Sequence, residues 1–236
     1  MITLAVDTAE RRGSVAIRRE GRTVAARVHE AADYSSWLLG AVEEVLQESG
    51  ASIASAALLA VATGPGSFTG VRVGLTTVKA WAEVYGRRVV GVSRLEAMAS
   101  MAEAMGFVAA SYDAQRGQVF GGLYRWESGA MMAVESEMVS TPGAFLAFVD
   151  ERAGRAAVQW VSLDAELITS EGSWGAREQR GDKLITCPAE VASLIGKLAE
   201  QRAARGEFAD PLELDANYVR RSDAEIFWKG PASGVR

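Results

Sequence analysis

A chain of 236 residues, 49% of them hydrophobic, has material for one large domain or two smaller lobes around a well-filled core. Its 25 Lys and Arg against 30 Asp and Glu leave a net charge of −5, which argues against unaided nucleic-acid binding, because phosphate neutralisation supplies most of that affinity. One cysteine, Cys187, excludes an internal disulfide, and no apolar run has membrane-spanning length. An acidic chain can still work inside an RNA-acting complex whose partner carries the basic surface. The start has no basic leader, so a cytoplasmic protein is expected.

Ile2–Val6 is a short, nearly continuous apolar run, as in a central strand covered on both faces. Asp7-Thr8 follows at its C-terminal end, where open α/β sheets place their ligands. Ser14–Arg18 and Thr23–Val28 read as two more strands, turning at Glu20-Gly21 into an antiparallel meander. Helical spacing then begins near Asp33 or Ser35 and carries Tyr34, Trp37, Leu38, Ala41, Val42, Val45 and Leu46 on one stripe. Leu39 falls off the stripe, and Gly50 ends the helix.

The strand Leu58–Ala62 leads into Gly64-Pro65-Gly66-Ser67-Phe68-Thr69-Gly70-Val71-Arg72, and a helix leaves it, from about Val71 to Tyr85. Gly64 and Gly66 take positive φ without steric cost, Pro65 fixes φ between them, and Ser67 or Thr69 suits an N-cap. Such a loop aims amides and a helix N-terminus at one point, a generic anion site. It has neither the Gly-Lys-Ser/Thr ending of a phosphate-binding Walker loop nor dinucleotide spacing. On spacing alone, a tight turn with close helix–strand packing is an equal reading. Arg88–Val92 is a fifth strand, and Ser93 caps a third helix to Met105. The simplest sheet places the two later strands parallel beside the first.

The pattern then repeats. Phe107–Tyr112 is an apolar strand closing on Asp113, as the first closes on Asp7; Gln118–Trp126 and Met131–Val139 follow as strands. Thr141 caps a helix with Pro142 at its first position, running to about Asp150, and Ala156–Val161 is another strand. Residues 164–182 are polar and glycine-bearing and read as a long loop. A last helix is expected over Pro188–Arg205, capped by Thr186 or Cys187. Tyr218-Val219-Arg220-Arg221 reads as ordered and Gly230–Arg236 as frayed. The result is two α/β lobes, 1–106 and 107–236, built from duplicated β-β-β-α-β-α-β-α units, the second smaller and less regular, with its tail packing back on the first.

Two lobes with Asp after the first strand resemble the actin-like ATPase (ASKHA, ribonuclease H-like) superfold. Within it, Gly64–Gly74 is similar to the signature of the bacterial TsaB (YeaZ) family. So are Val6-Asp7-Thr8, Gly91–Ala99, Asp113–Phe120 and the tail around Asp210-Pro211, Tyr218 and Arg220-Arg221. The resemblance covers most of the chain and thins over Gly143–Leu184. It implies a non-catalytic, activating subunit in tRNA threonylcarbamoyladenosine synthesis, N6-threonylcarbamoylation of adenosine beside the anticodon. The implied partners are a TsaD-like catalytic paralogue, which carries the metal, and a TsaE-like ATPase. Both a homodimer and a monomer are open to the free chain, and tRNA contact comes only through the complex. No intrinsic catalytic residue, metal or cofactor is implied beyond an ATP or ADP held weakly or at the partner interface. TsaD-type chains bind metal through two histidines four apart on a helix; His29 is the only histidine here. The family's usual His-Ser or His-Thr pair before the first long helix is replaced by Tyr34-Ser35.

Three constellations remain. His29, Cys187 and an acid could form a nucleophilic triad, but no nucleophile motif surrounds Cys187, and a lone strand histidine is usually a half-exposed polar residue. Asp7, Thr8, Gly64, Gly66, Ser67, Thr69, Gly70 and Asp113 could hold nucleotide and Mg²⁺ in an active ATPase or phosphotransferase, the alternative function. The favoured reading is a vestigial anion site whose carboxylates cap strands and loop amides. Finally, the helix after the glycine loop is apolar nearly all round: Gly74, Leu75, Val78 and Ala82 make one face, and Val73, Thr77, Trp81 and Val84 another. With Leu39, the second face reads as a partner surface anchored on Trp81 and rimmed by Arg72 and Lys79.

Overall fold

A computed structural model describes residues 1–30, 34–102, 106–127 and 130–219. Five strands form the first sheet: β1 (Ile2–Asp7), β2 (Gly13–Arg19), β3 (Arg22–His29), β4 (Leu58–Ala62) and β5 (Arg88–Val92), in the order β3-β2-β1-β4-β5. β1 runs antiparallel to β2, with Asp7 opposite Ser14, and parallel to β4, with Val6 opposite Val61. Every residue of β4 is buried, and β1 is buried beyond Ile2, which is why both read as unbroken apolar runs.

The second sheet holds β6 (Gly106–Gln115), β7 (Gln118–Glu127), β8 (Ala130–Ala133), β9 (Met138–Ser140), β10 (Val158–Ser162) and β11 (Lys183–Thr186). Its order is β11-β10-β6-β7-β8, with β9 also on β7. Read from the other edge, this is the first sheet again: β6 stands for β1, β10 for β4 and β11 for β5. The duplication expected from the sequence is therefore present in the topology.

Helices α1 (Tyr34–Ser49) and α2 (Phe68–Tyr85) cover one face of the first sheet, and α7 (Ala192–Ala204) covers the other. The register shows this: Gly74 of α2 faces Val61 while Gly196 of α7 faces Ala5, and residues one apart on paired strands point to opposite faces. α3 (Arg94–Ala99) packs on β6, β7 and β10 of the second sheet. Each sheet thus takes its last helix from the other half of the chain, and one apolar cluster runs through both, from Leu4 and Val61 to Tyr112 and Val161. A smaller cluster fills the outer side of the second sheet, where Trp160 meets Phe145 and Trp174 edge-on at ring distances of 5.9 and 5.7 Å.

Several segments differ from expectation. α2 begins at Phe68, capped by Ser67, which accepts from the Gly70 amide. Residues 164–182 contain two short helices, α5 (Ala165–Thr169) and α6 (Trp174–Arg180), not a loop. Neither has a side-chain cap, so nothing local announces them; they are held by tertiary anchors, Ile168, Trp174 and the Arg177–Asp150 ion pair. Met131–Val139 splits into β8 and β9, and β6 continues past Asp113 through a bulge. The last helix starts at Ala192 rather than at Pro188; Ser14 Oγ accepts from the amides of Val191 and Ala192 at 3.1 and 3.0 Å, and Glu190 accepts from the Ser193 amide at 2.8 Å. α3 ends at Ala99, and β11 is a four-residue strand without a sequence signal. Asp33, Glu103–Met105, Arg220, Arg221 and Gly230–Arg236 lie outside the described residues.

Candidate functional site

The end of β1, the glycine loop and the end of β6 meet between the sheets. Asp7 is fully buried; its Oδ1 accepts from the Ala9 amide at 3.0 Å and its Oδ2 from Arg94 Nε at 2.8 Å. Arg94, the first residue of α3, is fully buried, with Nη2 3.8 Å from Glu10 and its guanidinium 4.5 Å from the Tyr112 ring centre. Burial works against that charge, but Asp7 first, then Tyr112 and Glu10, more than offset it, and the guanidinium is held above its usual value. Thr8 donates to the Gly70 carbonyl at 2.7 Å.

Several of the glycine loop's polar groups are taken by the chain itself. Ser67 N donates to the Ala9 carbonyl at 2.7 Å, Arg94 N to the Gly64 carbonyl at 2.8 Å and Tyr112 Oη to the Pro65 carbonyl at 2.5 Å. The loop glycines are required sterically: a Cβ on Gly66 would lie 1.9 Å from the Ala9 carbonyl oxygen, and one on Gly70 2.1 Å from that of Thr8. The two carboxylate oxygens of Asp113 accept from the Gln115 amide and side chain, both at 2.7 Å. Gly66, Ser67 and Asp113 share a hollow of about 140 Å³ with Glu10, Arg11 and Gln115, whereas Thr69 faces elsewhere, into the groove between α1 and α2.

That groove holds about 530 Å³ and is lined by Leu38, Leu39, Phe68, Val73 and Thr77, among others. Leu39 is 59% exposed and Val84 75%, while Val73, Thr77 and Trp81 are half-buried. Val73 and Trp81 also pack against the core, so Trp81 serves the fold as well as the face. Of the five residues expected on a partner face, Leu39 and Val84 are open to solvent. The chain's tail takes its flank instead. Tyr218 stacks on Phe68 at 5.1 Å and accepts from Arg72 Nε at 2.8 Å, and Lys79 donates to the carbonyls of Leu212 and Leu214 at 3.3 and 3.0 Å. The sequence places Arg72 and Lys79 on a partner rim; here both are held by the tail.

The tail also reaches the second lobe. Asn217 donates from its backbone to the Thr63 carbonyl at 2.7 Å and from its side chain to Glu137 at 2.6 Å. Ser93 and Tyr124 donate to the same carboxylate. Burial raises the Glu137 pKa above the ordinary 4.5, against the opposing pull of those hydrogen bonds. The folded chain then holds this proton more tightly than the unfolded chain does. Its contribution to stability falls as pH rises from about 4.5 through the folded-state value. Glu137→Gln should remove that slope, so the variant gains on wild type as pH rises through this window in denaturant titrations. A difference curve that is flat, or of opposite sign, contradicts the assignment.

The two triad candidates have different surroundings. His29 stacks on Trp37 at 4.7 Å, with Tyr34 edge-on at 6.4 Å. Cys187 is buried, and burial pushes its thiol up to about 12, far from a thiolate at neutral pH. Cys187 should resist a thiol reagent at pH 8 in the folded chain and react fully in denaturant. Rapid stoichiometric labelling of the folded chain would contradict its burial.

Sequence reasoning missed Arg94. A signal existed: a cation in the first turn of a helix opposes the helix dipole, so an arginine there needs an acid from elsewhere. Which acid it meets depends on the exchange of helices between halves. No helix among the described residues is long and apolar enough to cross a membrane.

Two sheets of matching strand order, the second with an added strand and a second short helix, and Asp7 and the glycine loop at the cleft define the actin-like ATPase architecture. A family model described as TsaD, tRNA N6-adenosine threonylcarbamoyltransferase, matches residues 25–162. The tRNA threonylcarbamoyladenosine biosynthesis protein TsaB of Escherichia coli (strain K12) is 30% identical over 92% of this chain and 96% of its own. TsaB of Bacillus subtilis (strain 168) is 28% identical over 97% of this chain and 98% of its own. The solved structure of YeaZ from Pseudomonas aeruginosa superposes with a TM-score of 0.66 at 27% identity, covering 92% of this chain and 100% of that one. The chain belongs to the TsaB family of tRNA threonylcarbamoyladenosine biosynthesis proteins.

Proposed function

We propose that this protein is the non-catalytic, activating subunit of a tRNA threonylcarbamoyladenosine synthesis complex, and that its α1/α2 face binds a TsaD-type catalytic paralogue. One observation carries the reading: the apolar groove of about 530 Å³ between α1 and α2, lined by the exposed Leu39, with Val84 exposed farther along α2. A broad uncovered apolar face of this kind marks an interface. A partner of like fold would present a matching helix pair, closing a four-helix interface on Leu39, Val73, Thr77, Trp81 and Val84. Free chains would pair through the same surface, so homodimer and heterodimer compete. Leu39 faces outward from α1 beside α2, as a helix-pair interface needs.

The vestigial reading of Asp7, Thr8, Gly64, Gly66, Ser67, Thr69, Gly70 and Asp113 is supported by their contacts. Both Asp7 oxygens and several loop polar groups already have partners within the chain. The net charge of −5 fits contact with tRNA through the complex rather than by this chain alone. A TsaE-like ATPase would join the pair, in the cytoplasm, and any ATP or ADP would sit at the partner interface.

Reconstitution tests this. The chain alone should neither transfer threonylcarbamoyl to tRNA nor hydrolyse ATP, and a TsaD-type partner with its ATPase should need it for sustained modification. Robust ATP hydrolysis by the chain alone, lost in Asp7→Asn, would instead establish the active-ATPase alternative.

A further inference from the structure

Beside Asp7 and the glycine loop, the cleft between the sheets is filled from within. A fully buried arginine is costly unless every polar group is paired, and an apolar side chain of similar volume is often as stable. Arg94 is held by Asp7, approached by Glu10 and laid over Tyr112, yet its Nη1 has no hydrogen-bond partner. Stability alone therefore does not explain its presence. Its position does: the guanidinium stands at the C-terminal end of β1, where open α/β sheets hold a charged ligand.

The groups around it tie the halves together. Tyr112, on β6, lies under the guanidinium and donates to Pro65 of the glycine loop at 2.5 Å. Nearby, Arg12 clamps both oxygens of Asp164, just beyond β10, at 2.9 Å each. The hollow between Glu10, the glycine loop and Asp113 holds about 140 Å³, against roughly 300–1,000 Å³ for sites that enclose small-molecule ligands; a second, of about 420 Å³, opens beside Asp113 and Asp164 and touches no residue of the glycine loop.

We propose that Arg94 is a tethered cation that locks the two lobes closed, taking the place of a mobile charged ligand in the cleft. The lock stands whether or not the α1/α2 face binds a paralogue. It also braces that face: Thr8, next to Asp7, holds Gly70 of α2, and Tyr34 of α1 donates to the Glu10 carbonyl.

Hydrogen exchange on the full chain tests the lock. In Arg94→Ala, amides at residues 7–13, 63–70 and 111–116 should exchange at least about tenfold faster, while those of Phe145–Val149 and Val158–Val161 hold their protection. Methylguanidinium at millimolar concentration should restore the first group in the variant and leave wild type unchanged. Tyr112→Phe, which loses only the hydroxyl on Pro65, should loosen the same segments by a smaller factor, and it decides alone if Arg94→Ala does not fold. Unchanged exchange, or an even rise through every core strand, would overturn the lock. So would saturable protection of these segments by ATP·Mg²⁺ in wild type.

Discussion

Leu39→Glu combined with Val84→Glu abolishes binding to a TsaD-type partner, while circular dichroism and melting stay near wild type. Both side chains are largely exposed, 59% and 75%, so charging them costs the free chain little, typically within about 0.5 kcal/mol at each surface position. In an assembled interface the same carboxylates would be buried without partners. An uncompensated buried charge costs about 3–5 kcal/mol, enough to weaken binding more than about 100-fold. Trp81→Ala is a less clean probe. Trp81 packs against the core cluster, so its truncation lowers stability together with any loss of binding. Titration of wild type and the double variant against the partner decides the point. A double variant that binds like wild type would move the interface elsewhere.

Gly66→Val lowers stability by about 4 kcal/mol or more, in the exceptional tail for single substitutions. The cause is collision with backbone: a Cβ at this position would lie 1.9 Å from the Ala9 oxygen and 2.7 Å from its carbonyl carbon. That carbonyl also accepts from Ser67, so moving it breaks the tie between loop and strand. Gly40→Ala is the control. Gly40 lies within α1 with open space around it, and alanine there should stabilise by about 0.5–1 kcal/mol. Denaturant titration measures both. A Gly66→Val chain that melts like wild type but loses nucleotide binding would make the loop a ligand site instead.

The features legible in the sequence are those whose cause is local. β1 and β4 show their burial as continuous apolar runs, and Ser67, Ser93 and Thr141 each accept a hydrogen bond from the amide three residues on. The α1 stripe gives both the buried side, Leu38, Ala41, Val42 and Val45, and the outlier Leu39. Features caused at a distance were hidden. Ser14 caps α7 from 177 residues away in the chain. α5 and α6, at 5 and 7 residues, are too short for periodicity and depend on tertiary anchors such as Trp174 on Trp160. Asp7 was legible as a site residue, but its partner was not, because Arg94 reaches it only when α3 lies against the second sheet. Arg72 and Lys79 pointed outward by helical spacing, and nothing in their own helix foretold the tail that holds them.

Hydrogen exchange of this chain, free and mixed with a TsaD-type partner, tests the central claim most directly. The account predicts tight association, with new protection concentrated in residues 34–49 and 68–85 and the second-lobe core around Trp160 unchanged. No association at micromolar concentration, or protection confined to the second lobe, would contradict it.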